Sequence, residues 1–348
     1  MSSGTVVRGI SLPARFELPL GRYLADQPAA FVIERRSFEL ELRSPGRLVP
    51  WLGPALRGIT ALRFRAAQCR QPQAEWTDRW RHCRGCPHLP ACGYGIAFEP
   101  EALAAGSSDQ LPALPDAAGG GRIDAIRSLV MAPEFPAPVA GQTGSRIPVV
   151  LTSIGGNASA TIDGIVAAMA AAGRHDGLGP NRVRFAIVGH ESPSEEIRVD
   201  AACLPRVSPA SPRLPRVTIR LQGPLFLRER ESGHRRQILN PDFRALVRSA
   251  VRIIHEFLPA AAIDSPAEWE DLASGVAKVA ADLRPFRQER ASRRTFQRFE
   301  AAGVCGWCTF ADVPACFLPW LVLAGMLHIG GHRIAGAGGW TVDTTGGP

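Results

Sequence analysis

Ser37-Phe-Glu-Leu-Glu-Leu-Arg43 alternates apolar and polar residues without a break. Successive side chains of an extended chain point to opposite faces, so this stretch predicts a strand with one buried face. Beyond Pro45-Gly46, the segment Trp51 to Ala67 sets Leu52, Leu56, Ile59 and Leu62 near helical spacing, with Arg57, Arg63 and Arg65 offset from them. Gly53, Pro54 and Gly58 interrupt the pattern, and a helix is still the reading it favours. Ile147 to Leu151 predicts a strand, and Ala158 to Ala172 an alanine-rich helix closed by a left-handed Gly173. Arg182 to Val188 alternates again and predicts a further strand.

Strand, helix, strand, helix, strand within the first 190 or so residues is the order of a ferredoxin-like (RRM-like) βαββαβ domain. Ser208 to Pro215 holds three prolines and two serines and reads as a linker, placed at 208–216 between modules 1–207 and 217–348. The second module opens on a strand, Val217 to Leu221, and continues with a helix, Phe243 to Leu258, whose Arg244, Arg248 and Arg252 make one basic stripe. An apolar strand ending at Ile329 precedes the glycine-rich end. The expected fold class is therefore α+β: two ferredoxin-like domains in tandem, the first interrupted by a cysteine-rich insertion at about 69–100.

The chain has 348 residues, 45 % apolar and 21 % charged, which suits two packed domains and argues against wholesale disorder. Its formal net charge is +8, and Lys278 is the only lysine. Nearly all the positive charge is thus guanidinium, which matches phosphate bidentately and stacks on bases. A high-GC genome, which raises Arg, Ala, Gly and Pro together, is the alternative reading of that composition. No stretch reaches the roughly 20 apolar residues of a membrane span. No secretory signal is visible, so a cytoplasmic protein with reduced thiols is expected.

Three motifs carry chemistry. Cys83-Arg-Gly-Cys86, with Cys69 before it and Cys92 after it, offers four thiolates to one tetrahedral ion. Zinc is the default, an iron–sulfur cluster is the alternative, and a closed shell of this kind is structural. Cys305, Cys308 and Cys316 supply only three sulfurs among apolar neighbours, so core packing is expected there. Gly330-Gly-His-Arg-Ile-Ala-Gly-Ala-Gly-Gly-Trp340 is a loop in which Gly330, Gly331, Gly336 and Gly338 would let backbone amides approach a phosphate beside His332 and Arg333. Arg290-Ala-Ser-Arg-Arg-Thr-Phe-Gln-Arg298 interleaves Arg290, Arg293 and Arg294 with Ser292 and Gln297. That mixture suits phosphate contacts plus a stacking ring, or else a solvated helix face.

Taken in order, these elements resemble the CRISPR precursor-RNA-processing endoribonucleases of the RAMP superfamily. The resemblance runs through Leu56-Arg57-Gly58, the cysteine loop to Phe98-Glu-Pro100, Leu178-Gly179, Gly223-Pro-Leu225, the Arg290, Ser292, Arg293 element and the terminal glycine loop. It implies two linked ferredoxin-like domains that bind a repeat RNA and cut it without a metal, the ribose 2′-hydroxyl attacking the adjacent phosphate to leave a 2′,3′-cyclic end. A histidine serves such chemistry as acid or base, and guanidinium groups stabilise the phosphorane.

Here the first helix carries no histidine, and Gly223 stands where relatives have threonine. His332 is the expected catalytic residue, with Arg57, Arg63 or Arg333 on the phosphate; His328 reads as a strand residue with a satisfied hydrogen bond. Arg248, Arg252, Arg290, Ser292, Arg293, Arg294, Gln297 and the loop glycines are expected on the RNA, whose mature form the protein would retain, alone or with other CRISPR effector subunits. Two alternatives stand beside this: a non-catalytic RAMP subunit that holds crRNA, and a zinc-containing DNA-binding regulator.

Overall fold

The computed structural model describes residues 6–7, 10–11, 30–69, 86, 88, 92–98, 128–155, 159–189, 194–231, 234–258, 266–291 and 298–344. The alternating stretch around Phe38 is the second half of a longer strand, β1, Ala30–Leu42. Its apolar residues change parity along the way: Phe31 and Ile33 are buried, and so are Phe38, Leu40 and Leu42. Its pairing with β3, Arg146–Ile154, runs unbroken from Ile33↔Ile154 to Glu41↔Arg146. Residues of opposite parity therefore face opposite sides. One strand serves two cores.

On one side, Phe38, Leu40 and Leu42 pack with Leu56 and Phe64 of α1, Gly53–Gln68, and with Ile162, Ile165 and Met169 of α2, Ser159–His175. The sheet is completed by β2, Leu129–Pro133, β4, Phe185–Val188, and β5, Glu195–Asp200. Strand order is β2-β3-β1-β4, all antiparallel. β5 pairs with the first half of β1 and β4 with the second half.

The second sheet has the order β9-β10-β6-β11, with β6 at Arg213–Leu221, β9 at Ala277–Ala291, β10 at Arg298–Pro314 and β11 at Trp340–Asp343. The strand permutation matches the first sheet's. A ribbon, β7 (Leu227–Glu231) and β8 (His234–Ile238), precedes α3, Phe243–Phe257, α4, Pro266–Ser274, and α5, Leu318–Leu327. α3 begins at Asp242, whose side chain accepts the Ala245 N–H, and it buries Leu246, Val247, Ala250, Ile253 and Ile254. α5 is apolar all round, as a helix covered on every side must be. Phe31, Ile33, Ile154 and Val199 of the first sheet share one core with α3, α5 and the second sheet. The second unit's helices thus lie between the two sheets, and Phe31 meets Phe257 with ring centroids 5.6 Å apart.

Several local expectations change. Gly173 lies inside α2: a Cβ there would sit 2.3 Å from the Phe185 carbonyl, so glycine permits close packing of helix on strand. The left-handed residue after the helix is Gly177, at φ 72°. The proposed linker 208–216 contains the start of β6 at Arg213. The segment before Ile329 is the helix α5 rather than a strand. Arg290 and Arg298 stand on the two strands of the hairpin β9–β10, not on a helix. Among the described residues no helix is long and apolar enough to cross a membrane.

Candidate nucleic-acid interface

Trp51 lies two residues before α1, whose second residue, Pro54, stands where no amide is needed. Its backbone is clamped by Gln288 of β9: the Trp51 N–H donates to Gln288 Oε1 at 3.1 Å, and Gln288 Nε2 donates to the Trp51 carbonyl at 3.1 Å. Its indole Nε1–H donates to the Ala335 carbonyl of the terminal loop at 2.9 Å. Contact is close enough that a Cβ at Gly53 would lie 1.8 Å from that same carbonyl oxygen. Trp51, Phe226, Phe286, Ala335 and Ala337 make a small core of their own where the two sheets meet.

His332 and Arg290 sit on this core. The His332 ring stands edgewise to Trp51 at 5.8 Å and to Phe226 at 5.2 Å, and its backbone is left-handed at φ 61°. Arg290 Nη1 lies 3.1 Å from His332 Nδ1, and its Cζ lies 5.1 Å from the Trp51 ring centre. Burial pulls the Arg290 guanidinium down to about 10. A half-buried imidazole and a partly desolvated cation, seated on an aromatic floor, can meet a phosphate at low dielectric cost.

The glycine loop is built differently from the expectation. The N–H of Gly331 donates to Phe226 O, that of Gly336 to Arg333 O and that of Gly338 to Pro224 O. Those three amides serve the loop's own fold, so they do not cradle a phosphate. The glycines are there for close approach: a Cβ would fall 2.5 Å from Phe226 O at Gly330, 2.6 Å from Ala132 Cα at Gly336 and 1.9 Å from Ile329 O at Gly338. Gly223, too, faces this loop, 2.4 Å from Gly336 O by the same measure. Arg333 is buried, with Nη1 donating to Leu327 O at 3.4 Å and its Cζ 5.4 Å from the Phe257 ring centre. It therefore points away from any phosphate beside His332. His328 is buried, and its Nδ1 lies 3.0 Å from Ala337 O, as a satisfied hydrogen bond requires.

The other expected residues are dispersed. Arg57 reaches Phe98, with Nη2 3.4 Å from its carbonyl and Cζ 4.8 Å from its ring centre. Arg63 grips Asp176 through Nε at 2.6 Å and Nη2 at 3.0 Å. The hydrogen bond raises the Arg63 pKa and lowers that of Asp176. Glu270 of α4 takes Arg248 at 3.2 Å and also Arg244, so two side chains of the basic stripe are held by one carboxylate. Arg252 is exposed and pairs with Glu256 at 3.8 Å. Ser292, Arg293, Arg294 and Gln297 lie outside the described residues. Of the expected site, the structure brings His332 and Arg290 together. Sequence reasoning missed Trp51, Gln288, Phe226 and Phe286; the two-residue period Phe286, Gln288, Arg290 was the available signal.

Cys69, Cys86 and Cys92 are free thiols, and among the described residues no three His, Cys, Asp or Glu side chains are grouped to hold a metal. Cys83 lies outside the described residues. Cys308 and Cys316 are buried as expected, and desolvation pushes the Cys308 thiol up to about 12.

No curated protein matches the chain. A family model described as an N-terminal domain matches residues 31–201. Among solved structures, a Cas6 product complex is similar at 14 % identity and TM-score 0.49, over 89 % of this chain and 100 % of that one. Thermus thermophilus Cas6 is similar at 14 % and 0.45, over 89 % and 99 %; a Cas6-related protein from Pyrococcus furiosus at 10 % and 0.43, over 91 % and 100 %. Residues 219–340, which hold Phe226, Gln288, Arg290, His332 and the terminal loop, match the model of the CRISPR-associated endoribonuclease Cas6, and in that part the chain is similar to this CRISPR-associated family.

Proposed function

We propose that this protein binds a CRISPR repeat RNA and cuts precursor crRNA by metal-independent transesterification, the ribose 2′-hydroxyl attacking the adjacent phosphate to leave a 2′,3′-cyclic end. The supporting observation is the His332–Arg290 pair on the Trp51 floor, inside the segment that matches the family. His332 stands next to the reacting phosphate, and Arg290 takes the place foreseen for Arg57, Arg63 and Arg333 in stabilising its charge. The matching strand permutations support reading both units as ferredoxin-like domains. The exposed arginines, Arg252 and Arg287 among them, would track the RNA backbone; so would Arg293 and Arg294 beyond the end of β9.

Labelled repeat RNA incubated with the protein in EDTA tests the reading. Cleavage to a cyclic end, slowed about a hundredfold or more by His332→Ala with binding retained, is expected. Failure to cut any CRISPR repeat removes the enzyme. A second reading is a crRNA-holding subunit of a CRISPR effector complex, favoured by a first helix without histidine. That reading expects copurification with mature crRNA and large cytoplasmic partners.

Cys69, Cys83, Cys86 and Cys92 are proposed to hold a structural zinc on the strength of their spacing alone. No step of the reaction involves it. Elemental analysis of the native protein decides this.

A further inference from the structure

The nuclease reading puts His332 beside the phosphate, and the contact at its Nδ1 bears on what it does there. A guanidinium carries only donors, so in the 3.1 Å contact Arg290 donates and the imidazole accepts. Even with burial pulling it down to about 10, Arg290 stays protonated near neutral pH. With the Nδ1 lone pair taken, the neutral ring carries its proton on Nε2. Both partners are held: Arg290 lies over the Trp51 ring, Gln288 two residues earlier clamps the Trp51 backbone, and His332 is flanked by the edges of Trp51 and Phe226. Among the described residues, Trp51 and Phe226 present ring edges to the imidazole and Arg290 its guanidinium, while neighbouring Arg333 turns to Leu327 and Phe257.

We propose that Arg290, besides offering its charge to the phosphate, locks His332 as the Nε2–H tautomer, and that His332 acts as a neutral hydrogen-bond donor to a non-bridging oxygen of the scissile phosphate. This rests on the nuclease reading. In the step, hydroxide takes the 2′-hydroxyl proton, the P–O2′ bond forms and the P–O5′ bond breaks. The departing 5′-oxygen takes its proton from water. His332 keeps its own proton and stabilises the phosphorane charge.

Nitrogen-15 spectra of the imidazoles in the full-length protein test the lock without any reaction. His332 is expected as the Nε2–H form, Arg290→Met to release a mixture of tautomers, and Arg290→Lys, which keeps a donor, to preserve the form. A His332 Nδ1–H signal in the wild type overturns the lock. In the cleavage assay, His332→Gln, which retains an N–H donor, is expected to stay within about tenfold of wild type, whereas His332→Ala loses about a hundredfold or more. The logarithm of kcat is expected to climb with hydroxide up to roughly pH 8.5 with no descending alkaline limb, because the donor gives up no proton. A bell-shaped profile, or a Gln variant as inactive as the Ala variant, overturns the donor role and leaves the nuclease reading standing. A wild type that cuts no repeat RNA removes that reading and the donor role with it, while the spectra still judge the lock.

Discussion

Gln288 and Trp51 exchange two hydrogen bonds, the side-chain amide of one pairing with the backbone of the other at 3.1 Å in both directions. A residue on the second sheet's hairpin thus treats the chain ahead of α1 as a neighbouring strand. Replacing Gln288 with Leu leaves a part-buried N–H and C=O without these partners, a loss of about 1–3 kcal/mol. Urea unfolding should register it, and cleavage should fall with it because His332 and Arg290 rest on Trp51.

Gly53 and Gly58 lie on the same helix and should respond oppositely to alanine. At Gly53 the new Cβ would meet the Ala335 carbonyl at 1.8 Å, so the terminal loop must move; about 1–3 kcal/mol or more should be lost. At Gly58 nothing lies within 4 Å, and alanine should stabilise the helix by about 0.5–1 kcal/mol. Thermal unfolding of the two variants compares them directly.

Arg63 and Asp176 join α1 to the end of α2. The Asp176 carboxyl is held below its ordinary value, so its contribution is present above about pH 4 and is lost as pH falls through the lowered native pKa. Both side chains are about one-third exposed, and solvent screening limits the pair to about 1 kcal/mol or less. Arg63→Met should therefore cost a little stability, remove this acid dependence and leave the rate of RNA cleavage intact. A large fall in kcat would put Arg63 back in the reaction.

The order of β1, α1, β3, α2, β4, β6 and α3 was legible because each shows its period over at least one half; α5, apolar all round, shows none and read as a strand. What periodicity could not show was β1 changing its buried face after Ile33, since each half alone reads as an ordinary amphipathic strand. Gly173 looked like a helix stop, yet the demand for glycine comes from Phe185, a partner distant in sequence. The glycine loop looked like a phosphate cradle for the same reason: sequence shows a missing Cβ and not which backbone fills the space. Arg244 and Arg248 looked available because Glu270, which takes both, belongs to another helix. His332 was legible as a lone histidine in a loop; its floor was not, because Trp51 and Gln288 lie 237 residues apart.

His328 should make stability depend on mildly acidic pH. Burial pulls its pKa down to about 4, below the unfolded value near 6.5. The unfolded chain therefore binds the extra proton between those values, and the contribution, present above pH 6.5, declines as pH falls toward 4. The change is on the order of 3 kcal/mol. His328→Leu should lower overall stability and flatten this slope; an unchanged slope would place the titrating group elsewhere.

The central claim is that His332 and Arg290, seated on Trp51, act on a repeat RNA. The most direct measurement is single-turnover cleavage of labelled CRISPR repeat RNA in EDTA by wild type, His332→Ala and Arg290→Met. The expected result is a 2′,3′-cyclic product from the wild type, with both variants binding RNA but cutting at least about tenfold more slowly. Undiminished cleavage by His332→Ala, or no binding of any repeat RNA by the wild type, would contradict it.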